Sequence, residues 1–145
     1  MAKSKESNYL QVTIYSPEGE VYSHRATSCR IHTTDGYMTV LANHIPVIAA
    51  LDISPVIVTR LTEEATDYIA IDGGVVTFND NKLDIVATYA VRARDIDAAD
   101  VEIQKNKAEA DMQAAKTQED TVAYRRARIQ LNRAINQITV SQHRR

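Results

Sequence analysis

The distribution of glycine and proline divides this chain into two regions of different composition. All four glycines and all three prolines lie in the first 74 residues, and the following 71 residues contain neither. Because glycine and proline mark turns and interrupt helices, we expect turn-rich β structure in the first half and uninterrupted helix in the second.

The first ninety residues contain short segments rich in β-branched and aromatic residues, separated by turn signals. Residues 16–19 (SPEG) have proline at the second position of a turn, and Asp35-Gly36 is a hairpin signal. Residues 79–81 (NDN) predict a further turn. Many short strands at this spacing predict a β-sandwich or barrel. The predicted strands are 9–15, 21–25, 28–33, 37–41, 56–61, 68–71, 75–78 and 83–87.

Near Asp95 the apolar pattern changes to a helical period. Asp95 or Asp97 can cap a first helix, and a second helix is predicted to begin near Asp120. The predicted inward residues of the first helix are Ile96, Ala99, Ile103, Ala110 and Ala114. Those of the second helix are Tyr124, Ala127, Leu131, Ala134 and Ile138. Because the link 116–120 is short, the helices should be antiparallel.

These patterns together predict an α+β protein. Its N-terminal β-sandwich should span residues 1–90, and an antiparallel two-helix hairpin should span residues 91–145.

Charge is distributed unevenly along the chain. The formal net charge is -2, which argues against nucleic-acid binding by bulk electrostatics, yet the last 25 residues carry six arginines and no acid. This basic end is open to three interpretations: a solvated helix face, a nucleic-acid contact, or a docking surface for an acidic protein or a nucleotide phosphate. Nucleic acid is the least favoured, because no aromatic platform accompanies the arginines.

The sequence shows no catalytic constellation. It contains no phosphate-binding glycine loop, and its four histidines lack metal-ligand spacing. The Gly73-Gly74 pair is more typical of a bulge or tight turn than of a phosphate cradle. We therefore predict a non-catalytic protein without a metal or cofactor.

Cys29 is the only cysteine, so an internal disulfide is excluded and a reducing, cytoplasmic setting is favoured. It should be a small residue of the core or of a sheet edge.

No run of 18 apolar residues and no signal peptide is visible. We therefore expect any membrane contact to be made through a partner.

Several blocks of the sequence resemble the epsilon subunit of bacterial F-type ATP synthase. They are 16–19 (SPEG), 34–47 (TDGYMTVLANHIPV), 68–76 (YIAIDGGVV), 81–83 (NKL), 85–87 (IVA), 125–127 (RRA) and 131–136 (LNRAIN). The resemblance covers nearly the whole chain and keeps the order and spacing of the blocks. It implies a β-sandwich followed by a helical hairpin, in a non-catalytic rotor subunit of a proton-translocating complex. That subunit lies peripherally at the cytoplasmic face of the cell membrane.

The resemblance also implies partners and contact residues. The sandwich would contact the gamma subunit and the c-ring, and the matching residues are Asp35, Gly36, Met38, His44 and Pro46. An equally weighted role for His44 is a hydrogen bond that positions its loop. The family usually has Pro-Gly where Ala42-Asn43 stands, but Asn tolerates the left-handed conformation, so the turn before His44 can be retained.

In the family, the second helix also contacts acidic beta-subunit loops in the alpha/beta catalytic head and inhibits ATP hydrolysis. The matching residues here are Arg125, Arg126, Arg128 and Arg133.

An alternative function that the resemblance implies is ATP sensing, in which nucleotide clamps the hairpin. Some members bind ATP through an Ile/Leu-Asp-x-x-Arg-Ala motif, matched here by Ile96 and Asp97, together with second-helix arginines, matched by Arg133. Asp100 and Val101 stand in place of the motif's arginine and alanine, and Gln137 replaces another arginine. Asp100 would put a negative charge where phosphates need a cation, so we expect no ATP binding in the family's manner.

Overall fold

The structure is a computed structural model that describes residues 8–62 and 65–144. The chain forms two compact units, which divide between Arg92 and Ala93. The first unit is built from β-strands and the second from helices. The predicted fold class, a β-sandwich followed by a two-helix hairpin, is confirmed.

The β unit is a sheet that closes on itself. Its strands are β1 (Leu10–Ser16), β2 (Gly19–Thr33), β3 (Gly36–Leu41), β4 (Val47–Arg60), β5 (Thr66–Asn79), β6 (Lys82–Ala87) and β7 (Ala90–Arg92). They pair in the order β1-β6-β5-β4-β2-β3, and an additional β1–β2 pairing closes the ring. The β1–β6 pair is parallel, and the other pairs are antiparallel. The enclosed core is mostly aliphatic, with Phe78 and Tyr22 as its largest fully buried side chains.

Two long strands each join a pair of predicted short ones. β2 joins 21–25 to 28–33 across a register shift between Ala26 and Ser28. β5 joins 68–71 to 75–78 through the glycine pair. A Cβ on Gly74 would lie 2.4 Å from the carbonyl oxygen of Val86 on β6. Glycine is therefore required at this position because the two strands approach closely, which agrees with a structural role for the pair.

The first half of β4 and all of β7 were not predicted. β4 begins at Val47, and Pro55 pairs with Ala70 of β5 within it. Proline within a run argues against a strand because it cannot donate to the ladder. On its other side, however, the β2–β4 ladder is interrupted between Leu51 and Ile57. The missing N–H of Pro55 therefore removes no bond to β2.

The helical unit begins with a 3₁₀ turn (Ala93–Asp95), followed by α1 (Ala98–Thr117) and α2 (Thr121–Ser141). Asp97 caps α1, its Oδ1 accepting the N–H groups of Ala99 and Asp100 at 3.1 and 3.2 Å. Asp120 caps α2 by accepting from the N–H of Ala123 at 3.0 Å. The predicted start of each helix is confirmed.

The hairpin seam was predicted correctly for one helix only. In α2, Ala127 and Ala134 are buried and the other three predicted residues are half-buried. For the first helix, Ile96 is buried just before α1, but the rest of the predicted stripe is wrong: Ala99, Ile103, Ala110 and Ala114 are exposed, whereas Val101, Ala108 and Ala115 are buried. Because α1 carries alanine on opposite faces, hydrophobicity alone did not distinguish the face that packs in the hairpin.

Candidate functional site

The loop between β3 and β4 carries two of the predicted contact residues, His44 and Pro46, and hydrogen bonds to Asn81 hold it in place. Asn43 adopts φ +68°, as expected for an asparagine that replaces glycine before His44. Its N–H donates to Oδ1 of Asn81 at 2.6 Å, and Asn81 Nδ2 donates to Oδ1 of Asn43 at 3.0 Å. This reciprocal pair ties the loop to the turn between β5 and β6.

His44 has contacts that position this loop. Its Nδ1 lies 2.7 Å from the carbonyl oxygen of Ile45, and its ring meets Phe78 edge-on at 6.0 Å between centroids. Its backbone N–H donates to the carbonyl of Leu41 at 3.2 Å. These contacts favour the positioning role, while Ile45, 74% exposed, and Pro46 project from the loop.

The turn between β2 and β3 carries the other predicted contact residues. Thr33 Oγ1 donates to the carbonyl of Gly36 at 2.8 Å and accepts from the N–H of Asp35 at 3.1 Å. Thr33 pairs with Gly36, so the turn is centred on residues 34–35, one position earlier than predicted. Asp35 is exposed, but Met38 is half-buried and packs against the core. Met38 is therefore less available to a partner than the sequence suggested.

The neighbouring side chain, Tyr37, was not predicted as a contact residue. The residue is 62% exposed, and its ring stacks on that of His32 with centroids 4.2 Å apart and an interplanar angle of 12°. The guanidinium of Arg30 lies 4.5 Å from the same ring. Together, the side chains of Tyr37, His32 and Arg30 extend the candidate contact surface from the β2–β3 turn onto the two strands.

The largest feature that sequence reasoning missed is an apolar row on the outside of the sheet. Tyr15, Val86, Val75 and Ala50 are successive register partners across β1, β6, β5 and β4, and all four are exposed. Ile48, two residues before Ala50, is 80% exposed. We call these five residues the apolar row. The available signal was the absence of polar alternation at Val75-Val76 and Ile85-Val86, which predicts strands that are apolar on both faces.

The four arginines predicted to contact the catalytic head do not share one environment. Arg125, Arg126 and Arg128 are exposed, whereas Arg133 is half-buried. Arg125 and Arg128 line a cleft of about 520 Å³ at the hairpin turn. Arg126 lines a separate groove of about 510 Å³ between the helices.

The residues that match the ATP motif have structural contacts of their own. Ile96 is buried, and its carbonyl accepts a hydrogen bond from Arg144. The Asp97 carboxylate caps α1, and Asp100 accepts from Gln104 Nε2 at 2.8 Å. Val101 is buried in α1. Asp97 is therefore engaged with backbone N–H groups, and Asp100 with the Gln104 side chain.

The described residues offer neither a metal site nor a membrane-spanning helix. Within 8–62 and 65–144, no group of three His, Cys, Asp or Glu side chains could hold a metal ion. Over the same ranges, no helix is both long and apolar enough to cross a membrane. Cys29 is fully buried in the sandwich core, and burial raises its thiol pKa to about 12.

Two family models match the chain in sequence. Residues 9–93 match the β-sandwich domain of the ATP synthase delta/epsilon chain, and residues 94–142 match its long α-helix domain. The ATP synthase epsilon chain of Pediococcus pentosaceus is 44% identical over 139 residues, covering 95% of this chain and 99% of that one. The epsilon chain of Ligilactobacillus salivarius is 36% identical over 138 residues, with 95% and 99% coverage.

Solved structures share the fold. A chain of the Euglena gracilis mitochondrial ATP synthase, in an assembly described as OSCP, F1 and c-ring, aligns with a TM-score of 0.78 at 21% identity. That alignment covers 94% of this chain and 83% of the Euglena chain. A chain of the Tetrahymena thermophila mitochondrial ATP synthase, in a structure described as central stalk and c-ring, aligns with a TM-score of 0.51 at 16% identity. It covers 66% of this chain and 74% of the Tetrahymena chain.

The two matched domains are those of one chain of a multisubunit ATP synthase. The chain belongs to the delta/epsilon chain family of ATP synthases, within which its curated relatives are epsilon chains. The predicted resemblance and the prediction of a non-catalytic subunit are thereby confirmed.

Proposed function

We propose that this chain is a rotor subunit of the central stalk, which couples the gamma subunit to the c-ring and inhibits ATP hydrolysis through its C-terminal helices. Family membership, and the occurrence of a chain of this fold in a central-stalk and c-ring assembly, support the complex in which it acts. Contact with the membrane is made only through that complex, at the cytoplasmic face.

The apolar row is the observation that carries the stalk-binding part of this proposal. The sandwich already has a closed ring and a buried core, so these exposed residues are not needed to complete it. Contiguous exposed apolar patches mark protein-binding sites. Val86 is 61% exposed and Ile48 80% exposed. Burying them against the gamma subunit would remove apolar surface from water, which contributes about 25 cal/mol per Å² before the entropic costs of association are subtracted.

The loop residues around His44 and the turn at Asp35 give this unit a second contact region, which we assign to the c-ring. Asp35, Ile45 and Pro46 are exposed there. The hydrogen bonds of Asn43, Asn81 and Thr33 hold their backbone in one conformation. A preformed surface loses less conformational entropy on binding.

The stalk-binding proposal is tested by capture of the chain on immobilised gamma subunit. Val86→Glu places a charge in the apolar row, and Ile103→Glu places the same charge at an equally exposed position on α1. We expect Val86→Glu to reduce capture by tenfold or more, while Ile103→Glu captures like the parent chain. Equal capture of both variants would exclude the apolar row as the gamma-binding surface.

We further propose that ATP does not bind the hairpin in the family's manner. Asp100 opposes phosphate, and the Asp97 carboxylate is committed to the α1 cap. Calorimetric titration with MgATP tests this. No saturable heat is expected, whereas a saturable signal lost in Arg133→Gln would support the ATP-sensing alternative.

A further inference from the structure

The outer side of β3 is an unprotected edge of the sheet. β3 comes last in the pairing order, and among the described residues it pairs with β2 alone. Native sheets usually protect such edges with charged residues, prolines or bulges. β3 (GYMTVL) contains no charged residue and no proline, and its register with β2 runs without a shift from Gly36 to Leu41. Its outer side can therefore accept a further strand.

The β2–β3 turn determines which backbone groups lie on this edge. A two-residue turn joins Gly36 to β2, so Gly36 belongs to the first hydrogen-bonded pair of the ladder. Because hydrogen-bonded and non-hydrogen-bonded pairs alternate, the N–H and C=O groups of Tyr37, Thr39 and Leu41 point away from β2. The Leu41 carbonyl accepts the N–H of His44 at 3.2 Å, where the chain leaves the strand. The backbone groups available on the edge are therefore those of Tyr37 and Thr39.

We infer that this edge pairs with the same edge of a second copy of the chain. The two β3 strands lie antiparallel about a two-fold axis at Met38, and the free chain forms a symmetric dimer. A two-fold contact of this kind requires one surface that is complementary to itself. The inference concerns the chain outside its complex and does not rest on the proposed function.

The register of this pairing follows from the positions of the available groups. With the axis at Met38, Tyr37 of each copy lies opposite Thr39 of the other. Both residues point their N–H and C=O groups outward, so each pair exchanges both of its N–H···O bonds. An aromatic residue opposite a β-branched one is also a favourable cross-strand pair. An axis at Thr39 would instead require the Leu41 carbonyl, which already accepts the His44 N–H.

The side chains and charges near the edge are compatible with a second copy. Met38 is half-buried against the core, and the axis brings the two methionines together on that same face. Arg30 lies on β2 opposite Thr39, so three strand spacings separate the arginines of the two copies. That distance is at least about 14 Å, longer than the screening length of about 8 Å at physiological salt. No like charges are therefore opposed at the edge.

Self-association of the full chain is measured by sedimentation equilibrium from about 10 μM to about 1 mM, because a small edge contact gives weak affinity. We expect the average mass to rise from monomer to dimer over this range. Thr39→Pro removes an outward N–H and leaves the β2 ladder intact, so association should weaken by about tenfold or more. Thr39→Ala keeps the N–H and should associate within about threefold of the parent chain. Val86→Glu, in the apolar row, should associate like the parent.

Amide hydrogen exchange of the parent chain tests the register without any substitution. The amides of Tyr37 and Thr39 face solvent in the monomer and should exchange more slowly as the concentration rises. The amides of Met38 and Val40 are bonded to β2 in both states, so their exchange should not depend on concentration. The same two amides verify that Thr39→Pro keeps its β2–β3 ladder.

A chain that stays monomeric at every concentration would overturn the inference, as would equal association of Thr39→Pro and the parent. Loss of association in Val86→Glu would assign the contact to the apolar row and would also overturn it. Exchange at Tyr37 and Thr39 that does not respond to concentration would contradict the register. Capture by the gamma subunit tests the proposed function separately, and neither result there changes these expectations.

Discussion

Asn43 and Asn81 lie 38 residues apart and hydrogen-bond each other twice, while both hold left-handed backbone conformations at φ +68° and +59°. The pair fixes the β3–β4 loop against the β5–β6 turn. The backbone N–H of Gln11 on β1 also donates to the Asn81 carbonyl at 2.8 Å, so the loop, the turn and β1 meet at this residue.

Replacing Asn43 separates the backbone effect from the side-chain effect. Asn43→Gly keeps the left-handed backbone and loses the hydrogen bond that Asn81 Nδ2 donates to the Asn43 side chain, so the free energy of unfolding should fall by about 0.5–1.5 kcal/mol. Asn43→Ala loses the same bond and also holds in the left-handed region a residue without the tolerance that glycine and asparagine have for it, which adds about 1–2 kcal/mol. Urea denaturation measures both. Equal stability of the two variants would show that backbone conformation is not limiting here.

A buried polar group links three strands of the sandwich. Tyr22 donates to Asp67 Oδ2 at 2.5 Å, and Arg60 Nε lies 2.5 Å from the same oxygen. Asp67→Asn removes the charge that balances the arginine, so we expect a loss of about 3–5 kcal/mol. Tyr22→Phe removes one charged hydrogen bond and should cost about 1.5–3 kcal/mol. A milder effect of Asp67→Asn than of Tyr22→Phe in thermal unfolding would contradict this ranking.

The same group predicts a dependence of stability on alkaline pH. Burial, followed by the hydrogen bond to Asp67, raises the pKa of Tyr22 above its ordinary value. A raised pKa in the folded state means that the folded chain keeps a proton that the unfolded chain loses. Stability should therefore fall as pH rises above about 10, the ordinary tyrosine pKa. Tyr22→Phe should flatten this decline, and an unchanged slope would exclude Tyr22 as its source.

Cys29 should react only when the sandwich opens. The side chain is fully buried, and burial raises its pKa from 9.0 to about 12. At pH 8 the thiol is both protonated and inaccessible, so its labelling by a disulfide reagent should follow the rate of unfolding. The control is the same chain in 6 M guanidinium chloride, where labelling should be immediate. Fast labelling of the native chain would place Cys29 at a surface.

Local sequence patterns were sufficient to predict several features of the fold. The turn at residues 79–81, the cap at Asp97 (one of the two predicted alternatives) and the start of the second helix near Asp120 depend on local chemistry, and all were predicted. The α2 seam was found because Tyr124 and Leu131 are large.

Features that depend on tertiary pairing were missed. The first half of β4 was not predicted because Pro55 argues against a strand. The interruption of the β2–β4 ladder that accommodates the proline is a tertiary feature, and the local sequence does not indicate it. Ile103 looked like a core residue of α1, but the alanines at 108 and 115 pack in the hairpin instead. The apolar row appears only when register places Val75 beside Val86.

The most direct test of the account is ATP hydrolysis by the reconstituted complex, with the full chain or with a chain that ends at Arg92. This end point keeps β7, which pairs with β5, and removes the helical unit. We predict that both chains are captured by the gamma subunit equally and that hydrolysis is severalfold faster with the shorter chain. Equal hydrolysis rates in complexes that contain equal amounts of the two chains would contradict the account.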